Sequence, residues 1–406
     1  MIRNLKFKNF YSFKDEQHIS FLAKRKKTYS YFKSDKSNYV TKVAGFIGPN
    51  ASGKTNIIRI FGFLKFFISG GNGRHLLLNR IERNMGFKTF FNNSRPFVVD
   101  LEFEIGNTLY FYGLKASGKY QKVIEEYLKV KGKKKGDRTK LVFARNKTDI
   151  KLGTYLKDLP LDNIRKHLRE DMSLINFLEI NYKGVDIIHG VFEYFKNFKV
   201  NINEAGQTLH PHLVGMQIEI LNKYYENADL RQKVEKALRL FDLGVSGFDI
   251  RKYKIPNGFR ITVKGKHKLR KERVGELKFN YESSGTQNLF FILGYILDGL
   301  KNNSVIAIDE LSTGLHPEAV SRLVQFVIEQ NREKKAQFIF TTNSLDVLRI
   351  LDMHQIYLVE KNQYSESTVY RLNQVKGVRS DENFLNKYLT GAYGAFPQIS
   401  LYEYED

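Results

Sequence analysis

The chain has 406 residues, of which 42% are hydrophobic and 14% aromatic, which is enough for two or three domains or for one large domain with an insertion. It contains no cysteine, which excludes disulfide bonds, thiolate zinc sites and cysteine nucleophiles, and suits a reducing cytoplasm. Its 66 Lys and Arg residues against 43 acidic residues give a net charge of +23. This charge favours nucleic acid or an acidic protein as a partner, although a solvated lysine-rich surface would give the same total.

No export or membrane signal is apparent. The first residues lack the apolar segment and the cleavage site of a secretory signal. The most apolar run, residues 57–70, is interrupted by Arg59 and Lys65 and is shorter than the ~20 residues that span a bilayer. We therefore expect a cytoplasmic protein with no membrane partner, and a buried helix at 57–70.

The order of predicted elements indicates an α/β fold. In residues 2–22 apolar and polar residues alternate, which predicts a β-hairpin. The segment "KVAGFIGPN" predicts a strand that enters a glycine-rich turn before a helix. Residues 97–130 predict three or four further strands. Apolar residues recur at helical spacing between about 150 and 245, without the sustained heptads of a long coiled coil. From 246 onwards strands alternate with helices, which is typical of a mostly parallel sheet wrapped by helices.

Three basic clusters concentrate the charge in predicted loops or hairpin tips, at 24–27, 131–140 and 264–273. Each could reach a phosphate backbone. None has the interleaved aromatic residues that would indicate base stacking.

The strand–turn–helix at 43–70 contains a complete phosphate-binding loop, "GPNASGKT", matching G-x-x-x-x-G-K-[ST]. Its backbone N–H groups and the following helix would hold the phosphates of ATP. Lys54 would reach the β- and γ-phosphates, and Thr55 would ligate Mg²⁺. The predicted nucleotide-binding residues are Gly48, Pro49, Asn50, Ala51, Ser52, Gly53, Lys54 and Thr55.

A second acidic motif, "VIAIDE" at 305–310, reads as a buried strand that ends in two carboxylates. Asp309 is predicted to hold the Mg²⁺ ion with Thr55, and Glu310 to orient and deprotonate the attacking water. Such strand ends are commonly structural when they stand alone. The phosphate loop upstream favours the catalytic interpretation.

A third motif, "SSGTQ" at 283–287, precedes an apolar helix. Ser284 and Gly285 at a helix start could form an anion site, with Gln287 beside them. A serine in this place is also a good helix cap whatever the function, and taken without its neighbours the cap is the simpler interpretation.

With these neighbours, residues 284–287 resemble the S-G-G-Q signature of ABC-type ATPases, with threonine in place of the second glycine. "DELSTGLHP" at 309–317 resembles the segment after the catalytic glutamate in SMC-like and phage-defence ATPases. "FIFTTN" at 338–343 lies where these families have a switch histidine, but Asn343 takes its place. Asparagine can donate a hydrogen bond to phosphate and cannot carry a proton at neutral pH, which points either to slow hydrolysis or to a nucleotide used mainly as a clamp.

The whole chain resembles the bacterial ABC/SMC-like ATPases of phage-defence and abortive-infection systems, of the AbiL and RloA type and related to the Septu and PARIS ATPase subunits. The resemblance implies an ABC-type ATPase head: a mostly parallel sheet with helices, an antiparallel β subdomain and a short helical insertion. We predict an N-terminal part of the head at 1–149, the helical insertion at 150–245, and a C-terminal part at 246–406 with the signature, acidic motif, switch segment and tail.

The resemblance further implies a cytoplasmic, ATP-dependent and Mg²⁺-dependent ATPase that forms homo-oligomers by sandwiching nucleotide between heads. It would sense infection and control a nuclease or toxin supplied in trans. The positive charge adds DNA or an acidic phage protein as a candidate partner, with its role as signal or target left open. One alternative is an SMC/RecF-like DNA-maintenance ATPase that clamps DNA without a toxic effector. Another is the ATPase subunit of a transporter, which fits poorly with "GLHP" and the +23 charge.

Overall fold

The computed structural model describes residues 1–24, 28–35, 38–70, 86–133, 136–203, 206–207, 214–241, 244–256 and 258–397. The helices in these ranges are α1 (Lys54–Lys65), α2 (Leu161–His167), α3 (Leu174–Asn181), α4 (Asp186–Lys196), α5 (Val214–Glu226), α6 (Ala228–Arg239), α7 (Ser284–Lys301), α8 (Pro317–Gln330) and α9 (Phe384–Leu389).

The strands are β1 (Ile2–Lys8), β2 (Gln17–Ser20), β3 (Leu22–Lys24), β4 (Tyr31–Lys33), β5 (Asn38–Thr41), β6 (Val43–Ile47), β7 (Pro96–Ile105), β8 (Thr108–Ser117), β9 (Lys122–Gly132), β10 (Lys140–Asn146), β11 (Asp149–Leu152), β12 (Lys199–Val200), β13 (Ile202–Asn203), β14 (Gly206–Gln207), β15 (Val245–Ile255), β16 (Gly258–Lys268), β17 (Val274–Lys278), β18 (Val305–Ile308), β19 (Gln337–Thr341), β20 (Ile356–Lys361) and β21 (Ser367–Arg371).

The centre of the fold is a six-stranded sheet in the order β12-β18-β19-β6-β20-β21, parallel except at the β20–β21 pair. Its strands are buried on both faces, which explains why they read as continuous apolar runs. Along β18, Val305 and Ala307 belong to one hydrophobic core, and Ile306 and Ile308 belong to the other. The sheet therefore separates two cores.

A second, seven-stranded sheet is antiparallel throughout, in the order β11-β10-β9-β8-β7-β1-β2. The predicted hairpin at 2–22 is present as the β1–β2 pair, and three long strands cover the region predicted at 97–130. Strands β10 and β11 extend this sheet beyond the predicted ones. The α/β class with a parallel sheet and an antiparallel subdomain is confirmed.

The segment 150–245 contains helices α2 to α6 and one strand of the central sheet. That strand, β12, pairs in parallel with β18. Lys199 in β12 also forms a buried ion pair with Asp298 of α7, with Nζ 2.7 Å from Oδ2. The segment is thus bonded to the central sheet and to α7, and its boundaries at 150 and 245 stay predictions. The longest helix in the described ranges is α7, with 18 residues.

Helix α1 lies between the two sheets and anchors the phosphate loop that precedes it. Phe63 on this helix packs edge-on against Phe97 of β7, with ring centroids 5.3 Å apart, and against Phe87 at 5.8 Å. Phe10 and Phe67 complete the cluster, at 6.4 and 5.5 Å. The buried helix predicted at 57–70 is confirmed as α1 followed by a π-turn, Phe66–Gly70.

The basic clusters have different outcomes. The cluster at 264–273 runs from β16 to the start of β17 in a small three-stranded sheet ordered β15-β16-β17. The clusters at 24–27 and 131–140 lie partly outside the described residues. Among the helices that the structure describes, none combines the length and apolar character needed to cross a membrane.

Phe63→Ala is predicted to destabilise the head by about 3–5 kcal/mol, because it leaves a cavity between α1 and the antiparallel sheet. Phe91→Ala is the matched control: Phe91 is 74% exposed and Phe63 is 3% exposed, so the control should cost about 0.5 kcal/mol or less. Far-UV circular dichroism, which needs no tryptophan, follows the unfolding of both variants in urea and gives their midpoints. Equal midpoints for the two variants would contradict this packing.

Candidate active site

The candidate site lies where three neighbouring strands of the central sheet end. The phosphate loop follows β6, the acidic motif follows β18, and Thr341 ends β19, which lies between them. Because the carboxyl ends of parallel strands meet at one edge of a sheet, motifs about 250 residues apart are brought together.

The phosphate loop, residues 48–53, approaches its neighbours too closely for side chains at its glycines. A Cβ on Gly48 would overlap the carbonyl oxygen of Val359. Gly53 has φ +113°, and a Cβ there would lie 2.9 Å from Ser12 Oγ. The loop is also held from outside by β21, since Ser367 Oγ donates to the Ser52 carbonyl at 2.6 Å. Asn50 and Ala51 are exposed at its tip.

Lys54, the first residue of α1, reaches back over the loop. Its Nζ donates to the carbonyl oxygens of Gly48 at 2.8 Å and Pro49 at 2.7 Å. Burial lowers the pKa of Lys54 to about 8, and the nearby Asp309 and Glu310 carboxylates oppose that shift. An anion in the loop would favour the charged ammonium, so this lysine is placed to bind one.

Asp309 is buried, at 1% exposure, directly after β18. Burial raises the pKa of its carboxyl, against the effect of hydrogen bonds from Thr341 and Thr55, and the Glu310 charge adds to the rise. The Thr55 and Asp309 side chains are therefore in contact. A divalent cation here would stabilise the buried carboxylate.

Glu310 has a left-handed backbone, with φ 48°, which is uncommon for a residue with a side chain and is found at functional sites. Its N–H donates to Thr341 Oγ1 at 2.8 Å, and that hydroxyl donates to Asp309 Oδ1 at 2.7 Å. One threonine thus fixes the positions of both acidic residues. Sequence reasoning did not single out Thr341, although it belongs to the "TTN" segment.

Asn201 was missed as well. Its side-chain amide pairs with the backbone of Asp309: Nδ2 donates to the Asp309 carbonyl at 3.0 Å, and the Asp309 N–H donates to Oδ1 at 2.7 Å. Asn201 follows β12 directly, so it continues the sheet beside the acidic motif. No sequence pattern marks this residue, because the contact depends on how β12 pairs.

The motif at 283–287 lies at the start of α7. Ser283 is the helix cap, accepting from the Thr286 N–H at 3.1 Å, and Ser284 is left exposed. Gly285 is packed against Gly314, where a Cβ would overlap the Gly314 carbonyl. Gln287 Nε2 donates to the Glu282 carbonyl at 2.8 Å.

No hydrogen bond joins Ser284, Gly285 or Gln287 to the phosphate loop of the same chain, all of which the structure describes. Instead, Asn288 of α7 donates to the Thr313 carbonyl at 2.7 Å, and Thr313 Oγ1 donates to Glu310 Oε2 at 3.2 Å. The start of α7 is therefore linked to Glu310 through Thr313, which lies in the loop after Glu310.

Asn343 lies just beyond β19 with an exposed side chain, and its backbone N–H donates to Ser312 Oγ at 3.3 Å. It is thus next to the loop that carries Thr313. It thus follows the strand that adjoins β18, and its role as the switch residue stays a prediction.

A cleft of about 530 Å³ opens beside the phosphate loop and α1. It is lined by three cations, Arg59, Lys88 and Lys361, and by the aromatic rings of Tyr11 and Phe91. Phe91 is 74% exposed. The Arg59 guanidinium lies 4.7 Å from the Tyr11 ring centroid. Four lining residues have left-handed backbones, which is typical of ligand-binding loops: Tyr11, Phe91, Asn92 and Ser365.

The residues present fit Mg²⁺ and a triphosphate. Besides Lys54, the loop holds Ser52 Oγ, which is buried without a hydrogen-bond partner. Thr55 and Asp309 offer the oxygen ligands that Mg²⁺ prefers. In the part of the chain that the structure describes, no group of three or more His, Cys, Asp or Glu residues is arranged to hold a metal ion, so further ligands would come from phosphate and water.

Residues 43–349 match the family model described as "AAA domain, putative AbiEii toxin, Type IV TA system". The match covers more than half of the 406 residues. The chain belongs to this family. It accordingly carries an AAA-type ATPase domain, as the phosphate loop and the acidic motif predict. Among curated proteins, none matches the sequence significantly.

Several solved structures are similar at low identity. The SMC head domain from Thermotoga maritima is 15% identical, with 91% of this chain and 98% of that chain covered and a TM-score of 0.40. An SmcHead bound to the C-winged helix domain of ScpA is 13% identical, with 93% and 99% covered and a TM-score of 0.47. The Smc head domain with a coiled coil and joint from Pyrococcus yayanosii is 11% identical, with 97% and 99% covered and a TM-score of 0.44.

Thr341→Val is predicted to lower ATP turnover by about 10–100-fold, because it removes the hydroxyl that orients both Asp309 and Glu310. Thr41→Val is the matched control, since Thr41 is equally buried and its hydroxyl bonds only to Val43. Phosphate release at saturating Mg²⁺ and ATP measures the effect. Similar rates for the two variants would show that Thr341 does not position the acidic residues.

Proposed function

We propose that this protein is an ATP-binding and ATP-hydrolysing switch that closes as a homo-oligomer, acts in the cytoplasm as the sensor subunit of a bacterial anti-phage system, and controls a nuclease or toxin supplied in trans. The observation that supports it most directly is the linked set Thr55, Asp309, Thr341 and Glu310 at the edge of the central sheet. The family match supports the ATPase part.

The chemistry follows from the positions of these side chains. Lys54 and the backbone N–H groups of the loop would hold the phosphates, and Thr55 and Asp309 would hold Mg²⁺, which supplies positive charge to the β- and γ-phosphate oxygens when bound. Glu310 would orient a water and accept its proton. Asn343 would donate a hydrogen bond to a phosphate oxygen without accepting a proton, so turnover would be slow.

The cleft beside α1 would take the nucleoside end of ATP. It adjoins the phosphate loop through Ser12, whose Oγ lies against Gly53 and accepts from Asn56 Nδ2 at 2.8 Å. An exposed aromatic ring such as that of Phe91, and a half-buried guanidinium at the cleft wall such as that of Arg59, can stack on a base. A ribose and base would then order the strained residues that line the cleft.

Closure between two heads would explain why the motif at the start of α7 makes no contact with its own phosphate loop. Ser284 is exposed at the first turn of an 18-residue helix, where a γ-phosphate held by another copy would find an anion site. The link through Asn288 and Thr313 would transmit its arrival to Glu310.

The sensor role rests on resemblance to the AbiL and RloA type and to the Septu and PARIS ATPase subunits. The family description, which names a putative AbiEii toxin of a type IV toxin–antitoxin system, supports a link to a toxin system and not the sensor role itself. Its test is genetic: a neighbouring gene should encode a nuclease or toxin, and deleting either gene should raise phage plaque counts. A lone gene whose deletion instead sensitises cells to DNA damage would favour the DNA-maintenance alternative and reject the sensor role.

Glu310→Gln is predicted to trap ATP and to double the mass of the protein, because the closed heads can no longer release by hydrolysis. Light scattering after size exclusion, with and without Mg²⁺-ATP, measures this. The control adds Lys54→Ala to Glu310→Gln. This double variant should have the same mass with and without Mg²⁺-ATP, since the phosphates lose their cation. A mass of Glu310→Gln that ATP does not change would reject closure.

Asn343→His is predicted to raise ATP turnover by about 10-fold or more, because a histidine can carry the proton that asparagine cannot. Asn343→Gln keeps the amide and serves as the control. Steady-state phosphate release between pH 6 and pH 8 gives both rates. If histidine and glutamine variants hydrolyse ATP equally, the missing histidine does not limit turnover.

A further inference from the structure

The three-stranded sheet of β15, β16 and β17 carries an unusual share of the charge. Residues 251–278 contain eleven Lys and Arg residues and two Glu residues. A field of one sign on a small element raises the local concentration of polyanions. What such an element could bind depends on which side chains share a face.

The inner face of this sheet is used by the fold. Phe248 and Ile250 of β15 are buried, and the Phe248 ring lies 4.4 Å from that of Phe290 on α7. On the same side, His267 Nε2 lies 2.8 Å from Glu282 Oε1, just before the cap of α7. The part of this face around Phe248 and Ile250 is therefore closed to a partner.

The pairing register defines the opposite face. Tyr253 is opposite Arg260, Arg251 is opposite Thr262, and Lys264 is opposite Lys278. Residues directly opposite each other in an antiparallel pair share a face of the sheet, and so do alternate residues along one strand. One set of side chains therefore points away from α7. We call this set the outer face: Asp249, Arg251, Tyr253, Arg260, Thr262, Lys264, Lys266, Lys268, Val274, Glu276 and Lys278.

Two carboxylates on the outer face are already paired. Asp249 accepts from Arg251 at 2.8 Å, and Glu276 accepts from Lys264 at 2.7 Å. Four further cations have no ion-pair partner in the part of the chain that the structure describes: Arg260, Lys266, Lys268 and Lys278. The outer face thus keeps an excess of positive charge after internal pairing.

The geometry suits a phosphate backbone. Lys264, Lys266 and Lys268 alternate along β16, so their Cα atoms repeat about every 7 Å. A nucleic-acid strand carries one charge per nucleotide along a regular backbone, so Lys266 and Lys268, the two cations of this row without an ion-pair partner, can each meet a phosphate. An irregular acidic protein surface offers no such row.

One aromatic ring, that of Tyr253, lies among the cationic side chains of the outer face. Tyr253 is 47% exposed and lies two residues from Arg251 on the same face. Arg260, directly opposite, has its Cβ about 5 Å from that of Tyr253. Exposed aromatic rings between cations on a sheet bind unpaired bases by stacking, whereas the stacked bases of a duplex are not available to them.

We propose that the outer face binds single-stranded nucleic acid, with Arg260, Lys266, Lys268 and Lys278 on the phosphates and Tyr253 stacked on a base. This inference is independent of ATP hydrolysis, because none of these residues belongs to the nucleotide site. The face does adjoin that site in the chain, since β17 ends six residues before Ser284.

The test uses the full chain without nucleotide and a fluorescein-labelled oligothymidylate about 20 nucleotides long, longer than the about 4–16 nucleotides of one such site. Fluorescence anisotropy over a salt series gives affinity and salt slope. Arg260→Glu combined with Lys268→Glu should weaken binding at least about 10-fold and flatten the slope by about 1.4, at about 0.7 per lost phosphate contact. Tyr253→Leu should weaken it about 5-fold or more with an unchanged slope.

A matched control separates the contribution of the outer face to binding from the contribution of the overall net charge. Lys129→Glu combined with Lys140→Glu changes the net charge equally on β9 and β10, where both lysines are exposed, and should leave most of the affinity. An equal loss in both double variants would overturn the proposal. So would equal affinity for a duplex of the same length or for polyglutamate, or Tyr253→Leu binding like the unchanged protein.

Discussion

The structure depends on holding one buried carboxylate in place at the edge of a sheet. Asp309 cannot lie there alone, because an unpaired buried charge is costly, and it is held by hydrogen bonds from three separate segments. Thr55 of the phosphate-loop helix and Thr341 of the adjoining strand hydrogen-bond to its carboxylate, and Asn201, directly after the edge strand β12, pairs with its backbone N–H and carbonyl. The same contacts therefore close the fold and prepare a place for a metal ion.

This arrangement couples the site to the rest of the head. Thr341 holds the Glu310 backbone in its left-handed conformation, and Thr313 connects the Glu310 carboxylate to the start of α7. A change at Ser284 would thus reach the proposed base within a few hydrogen bonds. Packed cores and short networks of this kind tend to have discrete arrangements, which is what a nucleotide-dependent switch requires.

The sequence predicted the central elements well, for a physical reason. The strands of the parallel sheet are buried on both faces, so β6, β18 and β19 stand out as apolar runs, and the glycines of the phosphate loop are required by contacts such as that of Gly48 with Val359. Strands β10, β11 and β12 were missed. They are short or half-exposed, and β12 has two residues whose role comes only from pairing with β18.

What the sequence determined by itself was the chemistry: a loop for phosphates, a strand ending in two carboxylates, and a family, because these depend on residue types at fixed local spacing. Tertiary structure alone decided which side chains support them, as Asn201 and Thr341 show, because contacts across about 30 to 108 residues leave no local pattern. It also decided the character of the basic cluster at 264–273. In the linear sequence that cluster lacks an aromatic residue, but antiparallel pairing brings Tyr253 from another strand onto the same face, because register rather than sequence distance sets which side chains are neighbours.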